Sequence, residues 1–461
     1  MSSQAGFAAE AFLLTLLPLY AGGIQIPRHT AGILRSSIPR MSPFVAIIAP
    51  WEQVFTPPLR GRNFVPAGIS DACADLARGS CLDDPVIPQL LHHMTMLNPL
   101  PLRRLLVPAI GLLLVGALST AHAATETNFA FKRGVNISHW LSQNDGEQTY
   151  GAPWFGESDV EWIARQGFDH IRLPVDFRLC LAADGSLDEA KLKPIADTIR
   201  WARARELGVV LDAHFLPGAD FNSVGGDSRV YTDTGLQETA AQCWRQMARH
   251  FASEGPYLRF EILNEPVAAE NKQLNPFMHR MLAAIRESNP TRIVYVTSNK
   301  WSSFHTVGDV VLPDDRNIAL TIHYYEPLVF THQRAPWVGF KNTLPPITFP
   351  GRVPDVTGYT LPSFHMKLHA GDELTAAQIE ATFADVSAWL ADHAPKIEVY
   401  VGEFGVYDPA DAGSKRRWIA TVRSAAESRG WGWAVWDYND SFGVRKHDGS
   451  GTPVLEGLFT R

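Results

Sequence analysis

The chain is poor in cysteine, with 4 in 461 residues. Only Cys180 and Cys243 fall in the part that carries regular strand and helix patterns, so it has room for one intrachain disulfide at most. Cys243 lies beside Trp244 on the stripe Leu236, Ala240, Met247, Phe251 of an expected helix. That favours a buried free thiol, although export would permit a pair. Positive charge is not in excess either. The formal net charge is −7, which argues against nucleic acid as a partner. The uncharged run from Leu105 to Leu118 is too short for a comfortable membrane span. No G-x-G-x-x-G follows the first expected strand, which weighs against a doubly wound nucleotide-binding sheet.

What is present reads as globular. Hydrophobic residues make up 46% and charged residues 19% of the chain, and its length suffices for a large core. The 13 tryptophans exceed ordinary use, a surplus that suits flat, amphipathic ligands as well as packing.

The N-terminal quarter differs from the rest. From Met96 the chain reads "MLNPLPLRRLLVPAIGLLLVGALSTAHAAT". Arg103 and Arg104 supply a basic start, Leu105 to Leu118 an apolar middle, and Ala121-His122-Ala123 a cleavage pattern, which together make a secretory signal peptide over 96–123. Residues 1–95 contain no lysine and only patchy periodicity. They are expected to be a mis-called start or an extension, with the mature chain beginning near Ala124. The protein is therefore expected to be secreted or periplasmic, with no membrane span in its mature form, and monomeric.

From residue 131 onward, short apolar runs alternate with amphipathic helical patterns. Eight strands are expected: 131–138, 168–175, 209–215, 258–265, 292–299, 317–325, 397–405 and 431–438. They are apolar on both faces, as buried parallel strands are. Helices are expected over 188–208, 375–394 and 414–430, among others. Strict alternation over about 330 residues predicts a closed (β/α)8 TIM barrel, an α/β fold, with one domain over 124–461. The Pro-, Gly- and Thr-rich stretch 330–370 is a long loop after the sixth strand, and such loops are usually functional.

Barrels of this kind build their sites at the C-terminal strand ends. Those ends carry Arg172, His214, Asn264 with Glu265, His323 with Tyr325, Glu403 and Trp436. Taken singly, each has an ordinary structural explanation. Together they are too many polar groups to bury without a paired network, and such networks gather at functional sites. Two carboxylates without evident metal partners, on the fourth and seventh strands, suit glycoside hydrolysis by the retaining route.

The ordered set "HIRLP", "DAHF", "LNEP", "HYY", "GEFG" and "WAVWDY" resembles glycoside hydrolase family 5, and "HYYEPLVFTHQRAPWV" resembles a loop of its bacterial endo-β-1,4-glucanases. The resemblance spans most of 131–440. It implies that Glu265 is the acid/base, Glu403 the nucleophile, and Asn264 the amide that holds the sugar 2-hydroxyl. It further implies that Arg172 and Tyr325 hold Glu403, that His214 and His323 line the site, and that Trp436 stacks on the sugar at the cleavage point. His139 and Trp140 look like sugar contacts, and Trp154, Phe215, Trp301 and Trp337 are candidate platforms. The implied partner is a β-glucan, with no cofactor. β-Mannan, xyloglucan and β-1,3-glucan remain open as substrates, as does a barrel that binds sugar without cleaving it. A metal-dependent hydrolase fits poorly, because the first strand is followed only by His139 in "SHW" rather than an H-x-H pair. No sugar-binding module is visible in the sequence, so crystalline cellulose is not the expected substrate.

Overall fold

The computed structural model describes residues 129–143, 150–221, 228–338, 345–355 and 368–459. The expected signal peptide and the stretch before it lie outside the described residues. Eight parallel strands close into a barrel: β1 (Arg133–Asn136), β2 (His170–Asp176), β3 (Gly208–Phe215), β4 (Leu258–Glu261), β5 (Val294–Thr297), β6 (Ile318–Tyr324), β7 (Glu398–Phe404) and β8 (Gly432–Val435). Six fall inside runs read from the sequence, β2 and β3 each overrun theirs by one residue, at Asp176 and Gly208, and β8 returns to pair with β1. Nearly every strand residue is buried. Phe131, Val210, Tyr295, Ala319, Tyr400 and Ala434 fill the N-terminal part of the barrel, so the polar groups collect at the other end.

The outer layer consists of α1 (Glu157–Gln166), α2 (Glu189–Arg203), α3 (Thr234–His250), α4 (Leu274–Arg286), α5 (Ala376–His393), α6 (Ala412–Glu427) and α7 (Pro453–Phe459). Their starts are set by side-chain caps. Asp188, Asp233 and Asp411 accept from backbone N–H groups of the first turns of α2, α3 and α6. The stripe Leu192, Ile195, Ile199 and Ala202 of α2 is buried, each larger side chain contributing roughly 1.5–3 kcal/mol. Cys243 faces inward from α3, and both Cys180 and Cys243 are free and buried.

The structure departs from strict alternation once. Between β5 and β6 the chain makes a left-handed turn in which Lys300, Trp301 and Ser302 all have positive φ (55°, 62° and 54°), then a 3-10 turn over Phe304–Asp309. The segment has no helical apolar period, and Gly308 and Pro313 interrupt it. The long β6–β7 connection holds a short antiparallel ladder, Gly351–Arg352 with Glu373–Leu374. Parts of the expected cleft loop, 339–344 and 356–367, lie outside the described residues. No helix among the described residues is long and apolar enough to cross a membrane.

Candidate active site

β4 ends as a regular strand at Glu261, four residues before Glu265, rather than running to 265 as its composition suggests. The backbone then turns. Asn264 N–H donates to Ala213 O on β3 at 3.0 Å, and Glu265 takes a positive φ of 43°. Such a conformation is strained for a residue with a Cβ and persists where the surroundings enforce it. It presents Asn264 and Glu265 on consecutive positions at the barrel mouth.

On the opposite side, the β6–β7 register shifts between Ile322 and His323, which sets His323 opposite Glu403. Gly402 makes this possible. A Cβ there would lie 2.6 Å from Thr321 Oγ1 and 3.1 Å from His323 Nε2, so the glycine before Glu403 leaves room for the imidazole. Gly405 has a similar reason, since a Cβ would lie 2.3 Å from Trp436 O.

Arg172, on β2, is wholly buried and organises the floor of the site. Nε and Nη2 donate to the two Glu261 oxygens, both at 2.8 Å. Nη2 also reaches Asn264 Oδ1 at 2.9 Å and Asp212 Oδ2 at 3.0 Å. Nη1 donates to Asn136 Oδ1 at 2.8 Å and to Glu403 Oε1 at 2.7 Å. The guanidinium fork thus fixes one oxygen of Glu403. Tyr325 OH donates to the other at 2.9 Å.

Glu265 has different company. His323 Nδ1 lies 2.9 Å from its Oε1 and 3.6 Å from Glu403 Oε2. An oxygen of Glu265, one of Glu403 and a ring nitrogen of His323 all lie within 4.8 Å of one another. Burial, then the charge of Glu403, pushes Glu265 well above the usual carboxylate range. Burial lifts Glu403 too, but there it is opposed by Arg172 and by the Tyr325 hydrogen bond. Of the pair, Glu265 is the one that keeps its proton.

His214 is held neutral, because burial pushes it down to about 3. Its Nδ1 lies 2.7 Å from Asp212 Oδ2, and its Nε2 lies 3.1 Å from Gln143 Oε1 and 3.5 Å from Asn264 Nδ2. Burial likewise holds His323 well below its ordinary value. Trp436 lies parallel to His214, with ring centroids 5.8 Å apart and an interplanar angle of 9°. The Trp436–Asp437 peptide is cis.

Other expected residues fare differently. His139 is at the rim, edge-on to Trp436 at 6.1 Å, with Nδ1 3.4 Å from Asp440 Oδ2. Trp337 is 59% exposed. It stands edge-on to Tyr407 at 5.0 Å, and Tyr407, Phe442 and Tyr325 continue as a file of ring contacts towards Glu403. Trp140 needs correcting. It is buried, its ring centroid 4.7 Å from that of Phe155, and its indole N–H donates to Ala152 O. It therefore braces the β1 loop and leaves no face for a sugar. Phe215 is also packed, stacked on Phe221. Trp301 is half-buried and Trp154 is 37% exposed. Asn136, Asp212 and Glu261 are site residues that the sequence reading did not pick out. Asp212 is two residues from His214 on β3, so the strand period puts both on one face, and that signal was available.

Paired carboxylates, one just beyond β4 and one on β7 of a closed barrel, in unlike surroundings, are the arrangement glycosidases use. The chain belongs to glycosyl hydrolase family 5, the cellulase family, whose sequence pattern matches residues 131–442, and it is a glycoside hydrolase. It is 31% identical over 326 residues to endoglucanase C of Acetivibrio thermocellus, covering 67% of this chain and 91% of that protein. It is 27% identical over 299 residues to cellodextrinase A of Ruminococcus flavefaciens, covering 65% and 82%. Among solved structures, Thermotoga maritima Cel5A in complex with cellobiose aligns with a TM-score of 0.59 at 25% identity, covering 72% of this chain and 98% of that one.

Proposed function

We propose that this enzyme is an endo-β-1,4-glucanase that acts by double displacement, with Glu265 as acid/base and Glu403 as nucleophile. In the first step the Glu403 carboxylate attacks the anomeric carbon as the Glu265 proton passes to the departing glycosidic oxygen. The aglycone leaves as an alcohol, and the sugar is left as an ester of Glu403. In the second step Glu265, now ionised, takes a proton from water while the water oxygen attacks the same carbon. Glu403 departs as carboxylate, and the configuration is retained. Arg172 and Tyr325 hold Glu403 ionised and oriented, Asn264 takes the sugar 2-hydroxyl, and His214 and His323 position the sugar and the acid. Trp436 offers its ring to the sugar at the cleavage point, while His139 and Trp337 lie further out as sugar contacts.

One observation carries this reading. An oxygen of Glu265 and an oxygen of Glu403 lie within 4.8 Å. That suits a retaining pair, whose carboxyl groups are ~5–5.5 Å apart, and leaves no room for the water between carboxylates that an inverting enzyme needs. The β-1,4-glucan assignment is supported by relatives named endoglucanase and cellodextrinase.

A panel of soluble polysaccharides tests the substrate. Carboxymethyl cellulose and lichenan should be cleaved with a rapid fall in viscosity, and mannan, xyloglucan and laminarin more slowly. Preference for one of the latter would reassign the substrate. Binding without release of reducing ends would make the barrel a lectin-like module. We further propose that the protein is exported. N-terminal sequencing of the secreted protein should find a start near Ala124, and residues 1–90 retained on the mature enzyme would refute this.

A further inference from the structure

Beneath Glu403 the barrel holds more negative charge than the mechanism uses. Asp212, Glu261 and Glu403 all contact the single guanidinium of Arg172. Asp212, Glu261 and Arg172 are wholly buried, and Glu403 nearly so. Asp212 and Glu261 are direct neighbours in the β3–β4 register, and both reach the same nitrogen, Nη2. Three ionised carboxylates around one cation would leave a net charge of −2 where solvent cannot screen it. The donors are also fully used, since all five N–H groups of Arg172 have partners among Glu261, Asn264, Asn136, Glu403 and Asp212.

We propose that Asp212 and Glu261 keep one proton between them in the active enzyme, and that Glu261, acting through Arg172, is a positioning residue that sets how strongly the guanidinium holds Glu403. This rests on the reading of Glu403 as nucleophile. With one proton in the pair, the remaining carboxylate and Arg172 cancel, and Glu403 carries the only uncompensated charge. When that proton leaves, the second anion competes for the guanidinium and repels Glu403.

The surroundings allow such a titration. Glu261 is faced by Arg172 from β2, Asp212 from β3, Tyr295 from β5, Tyr400 from β7 and, beyond its own strand, Glu265. Asp212 is faced by Arg172 from β2, by His214 on its own strand, by Glu261 from β4, by Glu265 beyond β4 and by Glu403 from β7. His214 is neutral and the tyrosines are pushed up by burial, so Arg172 is the cation of this group. Burial pushes both Asp212 and Glu261 up to about 7. The proton belongs to the pair rather than to either residue.

The test is kcat/KM against pH for an activated aryl β-cellobioside, whose leaving group needs no proton from Glu265. The wild-type profile should fall on the alkaline side near pH 7. Glu261→Gln should move that limb up by at least one pH unit, about tenfold in proton concentration, while the acid limb stays in place. An unmoved alkaline limb, or a uniform drop at every pH, overturns the proposal. A second measurement does not depend on which glutamate attacks. In a Glu265→Gln/Asp437→Asn variant, which removes two other carboxyls that burial pushes up and leaves Glu403 beside Arg172, infrared titration should show a protonated-carboxyl band that vanishes as pH rises through about 7 and is lost on adding Glu261→Gln. No such band at pH 6 overturns the proposal, whereas failure of the nucleophile assignment would appear only in the catalytic experiments.

Discussion

Arg172 Nη1 lies 2.7 Å from Glu403 Oε1, inside a barrel where the arginine itself has no exposed surface. This contact separates the two glutamates, because Glu265 is paired instead with a histidine that burial keeps neutral. Removing the cation should therefore do more than lose one hydrogen bond. Arg172→Met leaves three buried carboxylates facing each other and should cost about 3–5 kcal/mol of stability, the scale for breaking a buried ion pair. It should also raise the acid limb of the pH profile, because Glu403 becomes easier to protonate. Arg172→Lys keeps the charge but not the fork, and should fall between the two. Denaturant unfolding and the pH profile together check this.

The stability of the fold should depend on pH in a definite direction. His214 and His323 have depressed folded values, so their contribution is lost as pH falls below about 6.5, the ordinary histidine value. Asp212 and Glu261 have folded values raised to about 7, so theirs is present at low pH and is lost as pH rises through about 7. The two effects oppose each other between about pH 4 and 6.5. Above that the histidines are neutral in both states, and only the carboxylates matter. Asp437, pushed up to about 8 by burial, adds in the same direction. Calorimetry should find that Tm falls from pH 6.5 to 8.5, and that Glu261→Gln reduces the slope. A Tm that rises over this window would contradict the account.

Trp337 is far more exposed than Trp436 and stands at the outer end of a file of aromatic contacts that begins at Tyr325. A platform remote from the reacting carbon binds ground state and transition state alike. Trp337→Ala should then raise KM for polysaccharide by more than it lowers kcat. Unchanged kinetics on long substrates would remove Trp337 from the cleft.

The two glutamates should respond differently to removal. Glu403→Gly should lower the rate by ~10⁴-fold or more, the scale for loss of a covalent catalytic group. Azide or formate should restore some turnover of an activated aryl glycoside, with inversion, by attacking from the vacated face. Glu265→Ala should slow poor leaving groups far more than good ones. With it, azide should give a product of retained configuration, formed on the glycosyl-enzyme. Product NMR distinguishes the two rescues.

The barrel was legible in the sequence because its eight strands are apolar on both faces and its helices are striped and capped. The polar ring was legible because His214, His323 and Glu403 interrupt apolar strands near their C-terminal ends, and Arg172 interrupts another further in, where only a network makes burial tolerable. Three things were not legible. Asn136 and Glu261 are single polar residues at the ends of short strands, and although the strand period pairs Asp212 with His214, only the closed barrel reveals that Arg172 reaches all three. Trp140 is next to His139, but its burial depends on how the β1 loop folds back on Phe155. The turn at Lys300–Ser302 is left-handed without a glycine, so composition gives no sign of it.

The proposed covalent bond between Glu403 and the sugar is read out in the configuration of the first-formed product. Proton NMR of wild-type hydrolysis, read before mutarotation, should show the β-anomer of the new reducing end. If the α-anomer appears first, the enzyme inverts, and the roles given to Glu265 and Glu403 both fail.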